Sequence, residues 1–228
     1  MRKSTILLSL LWGTVLILAG CAGSGSKPAA APQGPAPAAK ATQPPAPPAA
    51  GKAPAYKQGD RLTAYEAYQV LLPKVREWQP QATIALGTWQ ISGAEGGQGA
   101  DGRSSTWRFI CASPDEQAYA SFELNTTKEP ERQVRVATTN VRRPGVTALV
   151  DPAAWKVDSA QALEIAQANG LQQWLAEHPK HQWGEATLEL RASAEEGAYW
   201  LVVAHEGQGT SEFRISAADS KVLHARSH

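Results

Sequence analysis

From residue 22 to about residue 57 the chain is built of Pro, Ala, Gly, Gln and Lys, with almost no large apolar side chain. A stretch of this composition cannot bury enough surface to offset the entropy of ordering it, and it predicts a disordered tether over 21–59. Pro-rich chain favours extended polyproline II at about 3.1 Å per residue, so the stretch could reach roughly 110 Å when fully extended. Everything able to build a core is confined to roughly 170 residues after it, enough for one large domain or two small ones.

Ahead of the tether, Met1-Arg2-Lys3 precedes an apolar run from about Ile6 to Leu18. A basic start, a short apolar core and small residues at a cut site predict a secretory signal peptide over 1–20. The run is shorter than the roughly 20 apolar residues a membrane helix needs. The sequence Leu18-Ala19-Gly20-Cys21 resembles the lipobox of bacterial lipoproteins. That resemblance implies cleavage before Cys21 and a diacylglyceryl group on its sulfur, often with N-acylation. One acyl chain binds a bilayer weakly, but two or three on one cysteine hold it durably. The expected location is the extracytoplasmic face of a cell membrane, with the chain held there by lipid on Cys21.

Charge separates the tether from the rest. Six of the 22 basic residues (Arg2, Lys3, Lys27, Lys40, Lys52 and Lys57) lie before Asp60, and no acidic residue does. From Asp60 onward 16 basic residues face 21 acidic ones, a net charge of −5. An acidic folded part argues against nucleic acid as a partner, because phosphate binding needs clustered Lys and Arg. Of the two cysteines, Cys21 goes to lipid, which leaves Cys111 without a disulfide partner. Cys111 closes the strand-like run Trp107-Arg108-Phe109-Ile110-Cys111 and reads as a small buried hydrophobe.

The folded part shows a weak internal repeat. Thr63-Ala64-Tyr65-Glu66 and Asp158-Ser159-Ala160-Gln161 each have the form of a helix-opening capping box. Tyr68, Leu71, Val75 and Trp78 follow at helical spacing in one run, and Leu163, Ala166, Gly170 and Trp174 in the other. Each run carries a breaker, Pro73 in the first and Asn169-Gly170 in the second. Strands are predicted over 83–92, 105–111, 120–124 and 133–138, and again over 186–192, 198–205, 211–215 and 221–225. A unit of 70 to 90 residues is marginal alone, so two such units are expected to pack together.

The second run resembles a PepSY domain and the first a more divergent copy. The resemblance rests on Ser159-Ala160-Gln161-Ala162-Leu163-Glu164-Ile165-Ala166, Tyr199-Trp200-Leu201-Val202-Val203 and the closing Phe213-Arg214-Ile215-Ser216-Ala217-Ala218-Asp219-Ser220-Lys221-Val222. Ser216 stands where such units carry Asp, and Asp219-Ser220 where they carry Thr-Gly. The expected fold is therefore α+β: two tandem PepSY-like units, 60–150 and 151–228, each with one helix on an antiparallel sheet of about four strands. PepSY domains occur in propeptides of thermolysin-like metalloproteases and in many secreted or membrane-bound proteins. The resemblance implies a non-catalytic module that binds or inhibits a protein or peptide partner in the envelope, a protease or a cell-wall enzyme.

Other motifs point elsewhere only weakly. Gly96-Gly97-Gln98-Gly99-Ala100-Asp101 matches the start of a calcium-binding nonapeptide, but one copy cannot stack, and it reads as a hairpin loop. His178 and His181, and His224 and His228, are paired imidazoles beside Lys180 and Arg226, short of the three or four ligands zinc wants. No zincin, phosphate-loop or nucleophile-elbow motif is present, so no catalytic residue, metal or cofactor is assigned. Seven of the 8 tryptophans fall after the tether. They are core, with some bridging the two units, or they line an aromatic groove for a peptide or glycan. Trp155 and Trp183 are the candidates for a groove, since both lie in loop-like stretches beside prolines. The alternative function is an envelope ligand or metal sensor using such a groove.

Overall fold

The computed structural model describes residues 54–90, 101–178 and 186–228. The chain enters at Tyr56 and forms α1 (Ala64–Trp78), β1 (Thr83–Gln90), β2 (Thr106–Ala112), β3 (Tyr119–Asn125) and β4 (Val134–Ala137). It continues through α2 (Ser159–Ala166), α3 (Gln172–Glu177), β5 (Thr187–Ser193), β6 (Gly197–Glu206), β7 (Gly209–Ser216) and β8 (Val222–Ser227).

Local chemistry accounts for the helices. Glu66 N donates to Thr63 Oγ1 (3.3 Å) and Thr63 N donates to Glu66 Oε2 (2.9 Å), so both arms of the capping box are made. Ala64, Ala67, Tyr68, Leu71 and Val75 then form one buried stripe, and α1 runs through Pro73 to Trp78. The second helix is broken. Gly170 takes φ 122°, a conformation glycine adopts at little steric cost, and there α2 gives way to α3. Leu163, Ala166, Leu171 and Trp174 keep one buried face across the break.

Among the described residues eight strands form one sheet in the order β4-β3-β2-β1-β5-β6-β7-β8, and every neighbouring pair is antiparallel. This overturns the expectation of two tandem helix-on-sheet units with a sheet each. β1 pairs with β5 through Gly87–Leu190, Thr88–Glu189, Trp89–Leu188 and Gln90–Thr187. The physical reason is edge pairing. Two separate sheets would leave the backbone groups of β1 and β5 open to solvent, and joining them satisfies those groups. The join also merges the inner faces. Leu71 and Val75 of α1, Leu163 of α2, Phe109 of β2 and Trp200 of β6 belong to one buried cluster. Gly87 permits the close fit, because a Cβ there would lie 2.9 Å from the Phe109 ring and 3.3 Å from Leu190 Cβ.

Two features tie the halves together on the helix side. Tyr65 N, at the start of α1, donates to Asp158 Oδ1 (3.0 Å), the cap of α2. Ala64 N donates to Ser159 Oγ (2.9 Å), and Ser159 Oγ donates to Gly102 O (2.8 Å). Burial pushes the Asp158 carboxyl above the usual range, against the pull of the Thr63 hydroxyl and the Tyr65 and Ser159 N–H groups. On the other face, residues 138–150 cross the outside of β1–β3. Val141, Val146 and Leu149 pack there against Ala85, Ala112 and Tyr119. The crossing segment ends where Val150 bridges to Ile84.

Candidate functional site

The outer face of β2–β4, beneath the crossing segment, holds a hollow of about 520 Å³. Strand alternation builds it. Trp107, Phe109 and Cys111 point to the core, which turns Arg108 and Ile110 outward. In β3 the same rule sends Phe122 and Leu124 inward, and Ser121 and Glu123 line the hollow. Arg135 enters from β4, and Asn140 and Arg142 close over it from the crossing segment. Asn140 holds φ 59°, a left-handed turn that Asn tolerates better than most residues.

Charge in this hollow is not balanced. Arg108 Nε donates to Ser121 Oγ (2.9 Å), a neutral partner. Among the described residues neither Arg108, Arg135 nor Arg142 forms an ion pair, although Glu123 lines the same hollow. The outer face of β5–β7 differs. There Arg191 is paired with Glu189 (2.5 Å), and Arg214 with Glu196 (3.4 Å) and Glu212 (3.2 Å). Three guanidiniums and one carboxylate leave a surplus of two positive charges facing a concave surface. Guanidinium forks match carboxylate and phosphate oxygens in pairs, so the arrangement suits an anion. No His or Cys lines it, and its one hydroxyl with a known partner, Ser121, accepts from Arg108 rather than facing a base.

The residues singled out from sequence lie elsewhere. Trp155 is 1% exposed and sits in the core, so it lines no surface groove. Its ring touches Tyr65, Tyr68, Phe109 and Trp200 at centroid distances of 5.1, 6.0, 6.5 and 6.0 Å. Trp183, Cys21, His181 and most of the glycine-rich loop lie outside the described residues. Asp101, at the end of that loop, pairs with Arg61 at 2.6 Å. Cys111 is fully buried, and burial pushes its thiol up to about 12. His178 stacks on Trp174 at 4.1 Å, while His224 and His228 are exposed, on β8 and at its end. Among the described residues no three His, Cys, Asp or Glu side chains gather as metal ligands, and no helix is long and apolar enough to cross a membrane.

Sequence reasoning missed the arginines. Residues 132–143 carry Arg132, Arg135, Arg142 and Arg143 and no acid, a local basic run inside an acidic domain. That run was the available signal, and the net charge of the whole hid it.

No protein-family model matches the chain, so the PepSY resemblance is not confirmed, and no curated protein matches it either. Among solved structures, the crystal structure of a protein from Clostridium difficile 630 described as a candidate lipoprotein is similar. It is 11% identical with a TM-score of 0.43, over 75% of this chain and 97% of that one.

Proposed function

We propose that this chain is a non-catalytic, lipid-anchored envelope protein that binds a protein partner by taking up an acidic segment in the arginine hollow. The observation that carries the reading is the contrast across the outer face: the arginines of β5–β7 have carboxylate partners and those of the hollow do not. A folded part with a net charge of −5 repels anions in general, so three guanidiniums against one carboxylate in a single concavity are a local exception. Support for the anchor comes from the sequence before Cys21.

Two experiments test the two halves of this reading. A labelled hexaglutamate peptide should bind the full chain in detergent saturably at low salt, followed by fluorescence anisotropy. Three exposed charge pairs at about 0.7 kcal/mol each amount to about 2 kcal/mol, so Arg108→Ala, Arg135→Ala and Arg142→Ala together should weaken binding roughly 30-fold. Arg226→Ala, on β8, should leave it unchanged. Equal affinity in the triple variant and the parent would end the assignment. For the anchor, Cys21→Ala should move the protein from the membrane pellet to the supernatant on cell fractionation, because no acylated sulfur remains. Continued sedimentation with membranes would refute lipid attachment at Cys21.

A further inference from the structure

Resting on that reading, we infer that the acidic segment binds as an added β-strand along the open edge of β4, and that its sequence alternates acidic and apolar residues. β4 is an end strand, paired on one side only among the described residues. Its hydrogen-bond phase follows from one contact. Asn125 N donates to Gln133 O (2.8 Å). With the register Glu123–Arg135 and Ser121–Ala137, every second pair from that contact is hydrogen-bonded. Arg135 and Ala137 therefore spend their backbone groups on β3. The N–H and C=O groups of Val134 and Val136 point away from the sheet, a template of four hydrogen bonds for an extended chain.

The side chains on this edge specify what fits. Residues of an added strand alternate between the two faces of the sheet. On the outer face they would lie beside Arg135, at the rim of the arginine hollow, where a carboxylate meets unpaired guanidiniums. On the inner face they would lie beside Val136, an apolar side chain left 41% exposed. Acid on one face and apolar on the other is the complementary pattern.

The tether of this chain does not meet those requirements, although it starts close by. Tyr56 Oη donates to Gln133 Oε1 (2.8 Å), and Gly59 N donates to Thr126 O (2.9 Å), so the tether departs beside the start of β4. Residues 22–57 carry lysines and no acid, and prolines that lack the N–H a ladder needs. The other end strand, β8, has basic residues too, but it lies at the far end of the sheet from the arginine hollow on β2–β4.

The test compares two labelled peptides on the full chain in detergent: one alternating Glu and Val, one with the same residues as a Glu block and a Val block. The alternating peptide should bind about tenfold tighter, and N-methylation of every second backbone nitrogen, in the phase that faces β4, should remove that advantage. On binding, amide exchange at Val134 and Val136 should slow at least tenfold. Val136→Pro removes an outward N–H without touching the β3 ladder and should also remove the advantage; the methylated peptides give the same answer if that variant does not fold. Arginine-dependent binding with unchanged exchange at Val134 and Val136 would overturn strand addition and leave the hollow as the site. Loss of all arginine dependence would overturn both. Protection of those two amides in the free chain would show the edge already taken by the chain itself or a second copy. Arginine-dependent binding to phosphatidylglycerol vesicles without peptide binding would assign the hollow to lipid. Either result would overturn the proposal.

Discussion

Trp155→Ala is expected to destabilise the fold by about 4 kcal/mol, within the range for removing a buried aromatic side chain. Trp155 is 1% exposed, and its ring bridges α1, through Tyr65 and Tyr68, to β2 and β6, through Phe109 and Trp200. Truncation opens a cavity between α1 and the inner face of the sheet. It also removes one of two donors to Val157 O, which accepts from Trp155 Nε1 (2.9 Å) and Trp200 Nε1 (2.7 Å). For a folded part of this size a loss of about 4 kcal/mol lowers the melting temperature by roughly 8–16 °C. Trp155→Phe keeps most of the volume and should lose less than half as much. A groove residue would behave oppositely, with little change in melting and a loss of ligand. Thermal unfolding followed by circular dichroism separates the two outcomes.

That contrast shows where the sequence was readable. The helix starts followed from Thr63 with Glu66 and from Asp158, because capping is a contact between residues three or fewer apart. Strand positions followed from alternation, and Trp107, Phe109 and Cys111 face inward as their spacing requires. Alternation fixes the face of a strand and is silent about its neighbours. Nothing in Thr83–Gln90 names Thr187–Ser193 as the partner, and so the single sheet was not foreseen. Gly87 was the one local hint, since a glycine inside a strand marks a close approach. Trp155 was misread for a related reason. It lies in a segment without periodicity, and only the passage of that segment from the outer face to the helix layer puts it in the core. The hollow draws Arg108, Glu123, Arg135 and Arg142 from separate stretches, so only the three-dimensional pairing of β2, β3 and β4 assembles it.

Gly102→Ala should be as damaging, and its mechanism can be isolated with a matched control. Gly102 holds φ 69°, and an added Cβ would lie 2.5 Å from both Ala160 Cα and Ser159 O, and 2.7 Å from Ala160 N. Those are backbone atoms of the first turn of α2, so no side-chain rotation relieves the clash. Relief requires moving the turn off the helix. That movement breaks the bond from Ser159 Oγ to Gly102 O (2.8 Å) and disturbs Ser159 as acceptor for Ala64 N (2.9 Å), which joins the starts of α1 and α2. Gly197 supplies the control, with nearly the same backbone angle (φ 68°) and nothing within 4 Å of its Cβ position. Gly197→Ala should therefore lose only the left-handed backbone penalty, about 1 kcal/mol. Gly102→Ala should lose that and the overpacking as well, about 3–4 kcal/mol in all. Urea unfolding of the two variants measures the difference directly. Equal midpoints would mean that the turn gives way freely, and that the contact between Gly102 and Ser159 does not hold the two halves together.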